Sequence, residues 1–258
     1  MRYHSMPPLI KPKIIHSGLM AHNTFILCTI IAVKLFSIIG VSAQIEGYYS
    51  TINGQSGSEL KSALNSIIDN HNSISYTPGV WDAHKDLYED PNNADNIILF
   101  YSQASIDKSN QDSGGSPNTY FNREHLWPRS YGIGTSGSDN TDLHHLVPVY
   151  KGVNSSRSNK YFDNSEPSQP DYENPANDLS LGCTANSDTF EPGDAQKGRV
   201  ARAILYMATR YDYLELVNTP PSDLPSTSDS RMAQLRTLLD WNRKALPAVK
   251  EKNNNQKI

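Results

Sequence analysis

Apolar and polar positions keep a recognisable period over only parts of this chain. Leu60, Ala63, Leu64, Ile67 and Ile68 fall at i, i+3, i+4, i+7 and i+8, which is one face of a helix. Ser56-x-x-Glu59 stands in front of them. That is a capping-box pattern, in which the serine hydroxyl and the glutamate carboxylate take up free backbone N–H groups. Residues 96–101 (NIILFY) form a short continuous apolar run suited to a buried strand. Residues 119–127 and 142–150 read as two further strands, and Pro128, which has no backbone donor, stops the first. Residues 154–161 can open a helix. A longer amphipathic helix over 196–213 places Val200, Ala203, Ile204, Met207 and Tyr211 on one face, with Arg199, Arg202 and Arg210 off it. A last helix over 230–245 is built on Met232, Leu235, Leu239 and Trp241.

The text between these segments is irregular. Residues 76–95 are aromatic and turn-rich, 105–118 carry Gly-Gly and Pro, and 132–140 are glycine-rich. Residues 163–194 are rich in Pro, Asn and Asp, and 219–228 form a Pro- and Ser-rich link. The tail, KEKNNNQKI, has no apolar stripe and is expected to be disordered. No internal repeat is present. The pattern predicts one α+β domain, mainly helical around a small sheet, over 44–247, with 248–258 as a tail.

The N-terminus reads as an export signal over 1–43. Arg2, Lys11 and Lys13 precede an apolar run from Phe25, which closes on Val41-Ser42-Ala43 and leaves Gln44 as the expected mature start. Lys34 interrupts the run, so an uncleaved anchor is the rival reading, and Met20 is an alternative start. Cys28 would leave with the signal. Cys183 would remain as a buried small apolar residue.

Composition changes this picture in two ways. Hydrophobic residues make up 37% of the 258, enough for a core without disulfides. Four of the 23 Lys and Arg residues lie in the first 43, leaving 19 against 27 acidic residues, a formal balance of −8. A protein that grips phosphate backbones without reading bases is usually basic, so any such surface here is local. Arg123, Arg129, Lys151, Arg157 and Lys160 form one basic cluster, and Lys197, Arg199 and Arg202 another.

The densest polar constellation is Asn122-Arg123-Glu124-His125-Leu126-Trp127-Pro128-Arg129. Asp142-Leu143-His144-His145-Leu146-Val147-Pro148 and Gly152-Val153-Asn154-Ser155-Ser156-Arg157 follow it. Neighbours on a strand point to opposite faces, so Glu124 and His125 share a site only where the strand ends or bends. Asn154 and Arg157 share a helix face. A carboxylate and an amide oxygen suit a hard cation such as Mg²⁺. An imidazole can deprotonate water near neutral pH, and a guanidinium can neutralise phosphate oxygens. Together these are the parts of phosphodiester hydrolysis. Adjacent His144 and His145 suggest a zinc hydrolase as an alternative, but helical H-E-x-x-H spacing is missing. A non-catalytic binding module is a second alternative.

The segments NREHLWPRS, DLHHLVP, GVNSSRSNK and FEPGDAQKGRVARAILYM resemble the core of the endonuclease I family, and the likeness runs from about Tyr48 to Pro247. The resemblance implies a ββα-metal (His-Me finger) site with His125 as general base and Glu124 and Asn154 as metal ligands. It implies Arg129 as the phosphate-binding cation, with Arg157 second. The implied metal is Mg²⁺, with Mn²⁺ or Ca²⁺ as alternates. The implied substrate is DNA, with RNA as a second substrate of many members, held by the backbone, and the implied location is secreted or periplasmic. A monomer without stable membrane association is expected. Asp142 is expected to orient backbone or a histidine, and Glu191 is a weaker candidate for bracing the site. Relatives continue after the last helix with a charged segment and a Gly-Asn-x-Asn-Pro-Phe-like element, where this chain has Ala245-Leu246-Pro247 and the Lys/Asn-rich tail.

Overall fold

The structure is a computed structural model that describes residues 47–70, 72–165, 173–174, 179–180, 182–218, 230–232 and 234–258. The expected export segment and the 219–228 link lie outside the described residues. The chain divides into two units, Met1–Asn53 and Gly54–Ile258. In the first, the described residues form a turn and a 3-10 helix, Ser50–Ile52. The elements that follow belong to the second unit. Among the described residues, no helix is long and apolar enough to cross a membrane.

Helix α1, Gly57–Ile68, forms where the period predicts, with Ser56 as its N-cap in extended conformation. The expected capping-box bond is not made: the Ser56 side chain makes no capping bond, and its carbonyl accepts Leu60 N–H instead. The apolar face is half-buried. Asn65 Nδ2 donates to the carbonyls of Thr209 and Arg210, which fixes the helix against the C-terminal end of a later helix, Asp194–Arg210. Helix α2, Gly79–Leu87, arises in the aromatic stretch where no helix is predicted. Its buried residues are Val80, Trp81, His84 and Leu87, and Trp81 meets the Phe121 ring edge-on at 5.6 Å.

Strands β1, Glu89–Asp90, β2, Asn93–Ile98, and β3, Ser105–Asp107, form an antiparallel sheet in that order. The strand thus lies three residues earlier than the apolar run. Leu99, Phe100 and Tyr101 are buried in a turn closed by Gln103, whose amide donates to the carbonyls of Leu99 and Phe100. Strands β4, Phe121–His125, and β5, Leu146–Tyr150, pair antiparallel from Phe121↔Tyr150 to His125↔Leu146. Helix α3, Lys151–Arg157, follows without a loop.

Beyond it, the stretch read as irregular carries four of the next five strands. These are β6, Tyr161–Phe162, β7, Glu173–Asn174, β8, Leu179–Ser180, β9, Thr184–Ala185, and β10, Thr189–Glu191. Strands β6, β10 and β9 form one sheet, and β7 and β8 an antiparallel pair. Helix α4, Asp194–Arg210, buries Val200, Ala203, Ile204 and Met207 as its period requires. Strand β11, Glu215–Leu216, pairs parallel with β12, Arg231–Met232, and helix α5 is Leu235–Lys244. Met232 therefore sits in a strand rather than in the last helix. A Cβ on Gly198 would lie 2.6 Å from that of Ala245, so only glycine lets α4 approach the end of α5 this closely.

The tail corrects an expectation. Val249–Lys257 is a helix, α6, not a disordered segment. Arg202 explains its placement, because its guanidinium forks onto Glu251 at 2.5 and 2.7 Å and donates to the Ala245 carbonyl at 2.7 Å. Such bidentate pairs fix orientation as well as charge. The architecture is α+β, but the described strands are spread over five small sheets rather than one. Phe121, Trp127, Phe162, Phe190, Ile97 and Ile204 lie in one hydrophobic core. Burying one such side chain contributes about 2 kcal/mol.

Candidate active site

The β4–β5 hairpin and α3 place five sequence-predicted residues around one open pocket of about 350 Å³. Glu124, His125, Arg129, Asn154 and Arg157 line it, with Arg123, Ser130, Ser158 and Asn159. Glu124 and His125 share the pocket despite being neighbours because His125 ends its strand.

Glu124 is 1% exposed. Its Oε1 accepts from the Tyr101 hydroxyl at 3.1 Å and faces Arg157 Nη1 at 3.2 Å. Burial raises its carboxyl to about 7, against the pull of Arg157 and the hydrogen bond from Tyr101. Arg157 is equally buried, at 1% exposure. Its Nη1 donates to the His125 carbonyl at 2.8 Å, its Nη2 to the Leu126 carbonyl at 2.6 Å, and its guanidinium carbon lies 4.5 Å from the Phe162 ring centre. This departs from the expectation of a phosphate-binding arginine. The guanidinium is engaged by the protein's own strand end and carboxylate.

His125 Nε2 lies 3.0 Å from the Asn140 carbonyl oxygen. A carbonyl only accepts, so Nε2 carries the proton and Nδ1 keeps the lone pair. Arg129 Nε approaches the same Nε2 at 3.5 Å, which sets two donors against each other and is a contact rather than a bond. Burial first, then His145 and Arg129, hold the His125 pKa well below its ordinary value, so the ring is neutral. Tyr76 stacks on it at 6.0 Å between centroids. The Arg123 and Arg129 guanidinium carbons lie 3.5 and 4.7 Å from the Tyr76 ring centre.

Asn154 Nδ2 donates to Asn122 Oδ1 at 2.8 Å and to the Arg123 carbonyl at 3.3 Å. The amide is thereby fixed through its nitrogen, which leaves its oxygen as the donor atom for a ligand. With the second oxygen of Glu124, this is a hard oxygen set beside an open pocket, and it fits a divalent cation of the Mg²⁺ class that keeps several waters.

The structure leaves the other polar candidates outside the pocket lining. Asp142 Oδ1 accepts from the backbone and Nδ1 of His144, and its Oδ2 from the hydroxyls of Tyr206 and Tyr211. It orients a histidine and its backbone, as expected. His145 is fully buried and donates to the Asp139 carbonyl at 2.8 Å. Among the described residues, no three His, Cys, Asp or Glu side chains are grouped to hold a metal. Glu191 pairs with Lys197 at 2.7 Å, and Arg199 lies over Phe100 at 4.6 Å. Cys183 is buried in the core. Sequence reasoning missed Tyr76, Tyr101 and Asn140. Tyr76 is an ordinary aromatic in irregular text, Tyr101 closes the apolar run 96–101, and Asn140 acts through its backbone.

Comparison with known proteins places this geometry in context. A family model described as Endonuclease I matches residues 56–258, and so includes α6. The extracellular ribonuclease of Bacillus amyloliquefaciens is 40% identical over 227 residues, covering 86% of this chain and 74% of that protein. The extracellular ribonuclease of Bacillus subtilis (strain 168) is 36% identical over 221 residues, covering 84% and 72%.

Proposed function

Since the chain belongs to the endonuclease I family, we propose that it is a secreted, divalent-metal-dependent nuclease cutting RNA and DNA without base preference. The names of the two Bacillus relatives support RNA as a substrate and the extracellular location. The observation that carries the chemistry is the contact of His125 Nε2 with the Asn140 carbonyl, which requires one tautomer of the ring. Its Nε2–H is held by Asn140 O at 3.0 Å, so Nδ1 is the base atom. On this reading β4, β5 and α3 form a ββα-metal site of the His-Me finger type.

His125 Nδ1 takes a proton from water as that water attacks phosphorus, and burial keeps the ring neutral and able to do so. Glu124 and Asn154 would hold Mg²⁺, with Mn²⁺ or Ca²⁺ as alternates. Bound there, the metal supplies charge stabilisation for the phosphate and the leaving 3′-oxygen. Arg129 is half-buried beside the base and binds a non-bridging phosphate oxygen. Arg157 is a positioning residue, since it holds the carbonyls of His125 and Leu126 and the carboxylate of Glu124. The pocket presents cations, amides and a carboxylate but no base-reading element, which supports grip on the backbone.

The test is cleavage of a labelled single-stranded RNA and a supercoiled plasmid by the chain from Gln44, with Mg²⁺ and with EDTA. His125→Ala and Glu124→Ala are run beside it. Metal-dependent cleavage lost in both variants is expected. Folded protein that cuts neither substrate under any divalent metal would point to an inactive binding relative.

A further inference from the structure

The turn Asp139–Thr141 between the two catalytic strands is almost entirely buried, with Asp139 at 6% and Asn140 at 1% exposure. Its consecutive carbonyls hold two imidazoles: Asp139 O accepts from His145 Nε2 at 2.8 Å, and Asn140 O from His125 Nε2 at 3.0 Å. The two rings lie 5.4 Å apart. A 3-10 turn of three residues has little rigidity of its own. What holds it is side-chain bonding at both ends.

At the front, Asp139 Oδ1 accepts from Asn140 N–H at 2.8 Å, and Oδ2 accepts from the Tyr213 hydroxyl. Gly137, at φ +105°, makes room for this carboxylate, since a Cβ there would lie 2.5 Å from Asp139 Oδ1. Behind, Asp142 accepts the four bonds already described, two of them from the hydroxyls of Tyr206 (3.1 Å) and Tyr211 (2.9 Å). Tyr206 lies in the last turns of α4, and Tyr211 and Tyr213 directly follow it. Burial and the adjacent aspartates push the phenols of Tyr211 and Tyr213 up, so both remain donors.

We propose that the tyrosines at the end of α4 are positioning residues for the reaction: through Asp139 and Asp142 they clamp the turn whose Asn140 carbonyl sets the tautomer of His125. The inference rests on His125 being the base, but the tautomer is a property of the resting protein and is read without turnover. The clamp is unequal. Asp142 has four donors and tolerates losing one, whereas Asp139 has two. Tyr213 is 50% exposed, so removing its hydroxyl perturbs the turn without opening the core.

The experiment is nitrogen-15 NMR of the histidine rings at neutral pH in metal-free protein, for wild type, Tyr213→Phe and Tyr206→Phe. It is paired with kcat and KM for RNA cleavage with Mg²⁺. Wild-type His125 should show protonated Nε2 alone. Tyr213→Phe should mix the tautomers and lower kcat by about fivefold to tenfold with KM within about twofold, as expected for a lost positioning contact. Tyr206→Phe should mix the tautomers less and lower kcat by no more than about twofold, since Asp142 keeps three of its four donors. A Tyr213→Phe protein with an unmixed His125 signature overturns the clamp, whatever its activity, and so does a rise in KM without a fall in kcat. Full activity of His125→Ala would instead remove the base reading, while the ring spectra still decide the clamp.

Discussion

Replacing Arg157 by Met tests whether this arginine supports the site from within or contacts substrate. The change keeps an apolar stem of similar length and removes the guanidinium. Lost with it are hydrogen bonds to the carbonyls of His125 (2.8 Å) and Leu126 (2.6 Å) and the charge beside Glu124 at 3.2 Å. Both partners of the ion pair are 1% exposed, so water does not replace what is removed. Breaking a buried pair by deleting one partner costs about 3–5 kcal/mol, because the survivor is left buried and uncompensated. The orphaned carbonyls act in the same direction but are not additive with it. Taking about 4 kcal/mol, Tm should fall by about 12 °C for a folded unit of this size. Urea and thermal unfolding in EDTA measure it. Added Mg²⁺ should recover part of the loss, because a cation on Glu124 supplies the missing charge. Arg157→Met within about 1 kcal/mol of wild type, with a raised KM instead, would refute the reasoning and return Arg157 to the phosphate.

Three further outcomes follow from other parts of the molecule. His84 is fully buried, donates from Nε2 to the Leu146 carbonyl at 3.0 Å, and has its pKa lowered by burial to about 3. The unfolded chain takes up that proton below about pH 6.5, so stability falls with pH between 6.5 and 3 by about 1.4 kcal/mol per unit. Wild type should therefore lose about 2 kcal/mol more than His84→Gln between pH 7 and 5 in urea titrations, and equal slopes would refute this. Arg129→Ala should raise KM for RNA about tenfold at unchanged Tm and flatten the salt dependence of binding by about one charge. A lowered Tm with unchanged KM would make Arg129 structural. Arg202→Ala removes the fork on Glu251, so amide exchange over 249–257 should speed up at least about tenfold. Retained protection would show that something else docks α6.

The elements legible in the sequence are those whose burial follows a period. Helix α4 buries Val200, Ala203, Ile204 and Met207 on one stripe, and the reading places it within three residues at either end. Strands β4 and β5 are found because both are apolar around the catalytic motifs, although Asp142 to His145 belong to a turn rather than to the strand. Helix α2 is missed because its buried face includes His84, which an apolar pattern does not count. Helix α6 is missed for a different reason. Its residues have no apolar stripe, and it is held by pairs to Arg202 and Asp86, which lie 49 and 171 positions away. Long-range ion pairs leave no local trace.

The site shows the same division more sharply. Motif order brings Glu124, His125, Arg129, Asn154 and Arg157 to one pocket, yet sequence cannot rank the two arginines, since each is a cation near a histidine. Burial separates them. Arg157 is enclosed at 1% exposure with its terminal nitrogens on protein oxygens, while Arg129 is half-buried and, among the described residues, has no carboxylate paired with it. A guanidinium whose two terminal nitrogens are already engaged by protein oxygens gains little from a phosphate, whereas one against a neutral imidazole and an aromatic ring gains a full charge interaction. The proposed base depends still less on residue identity. His125 owes its tautomer to a main-chain carbonyl, which any residue at 140 would supply if the turn were held. On the proposed reading, what specifies the chemistry there is the anchoring of that turn by carboxylates and by phenols from a helix end some seventy residues away.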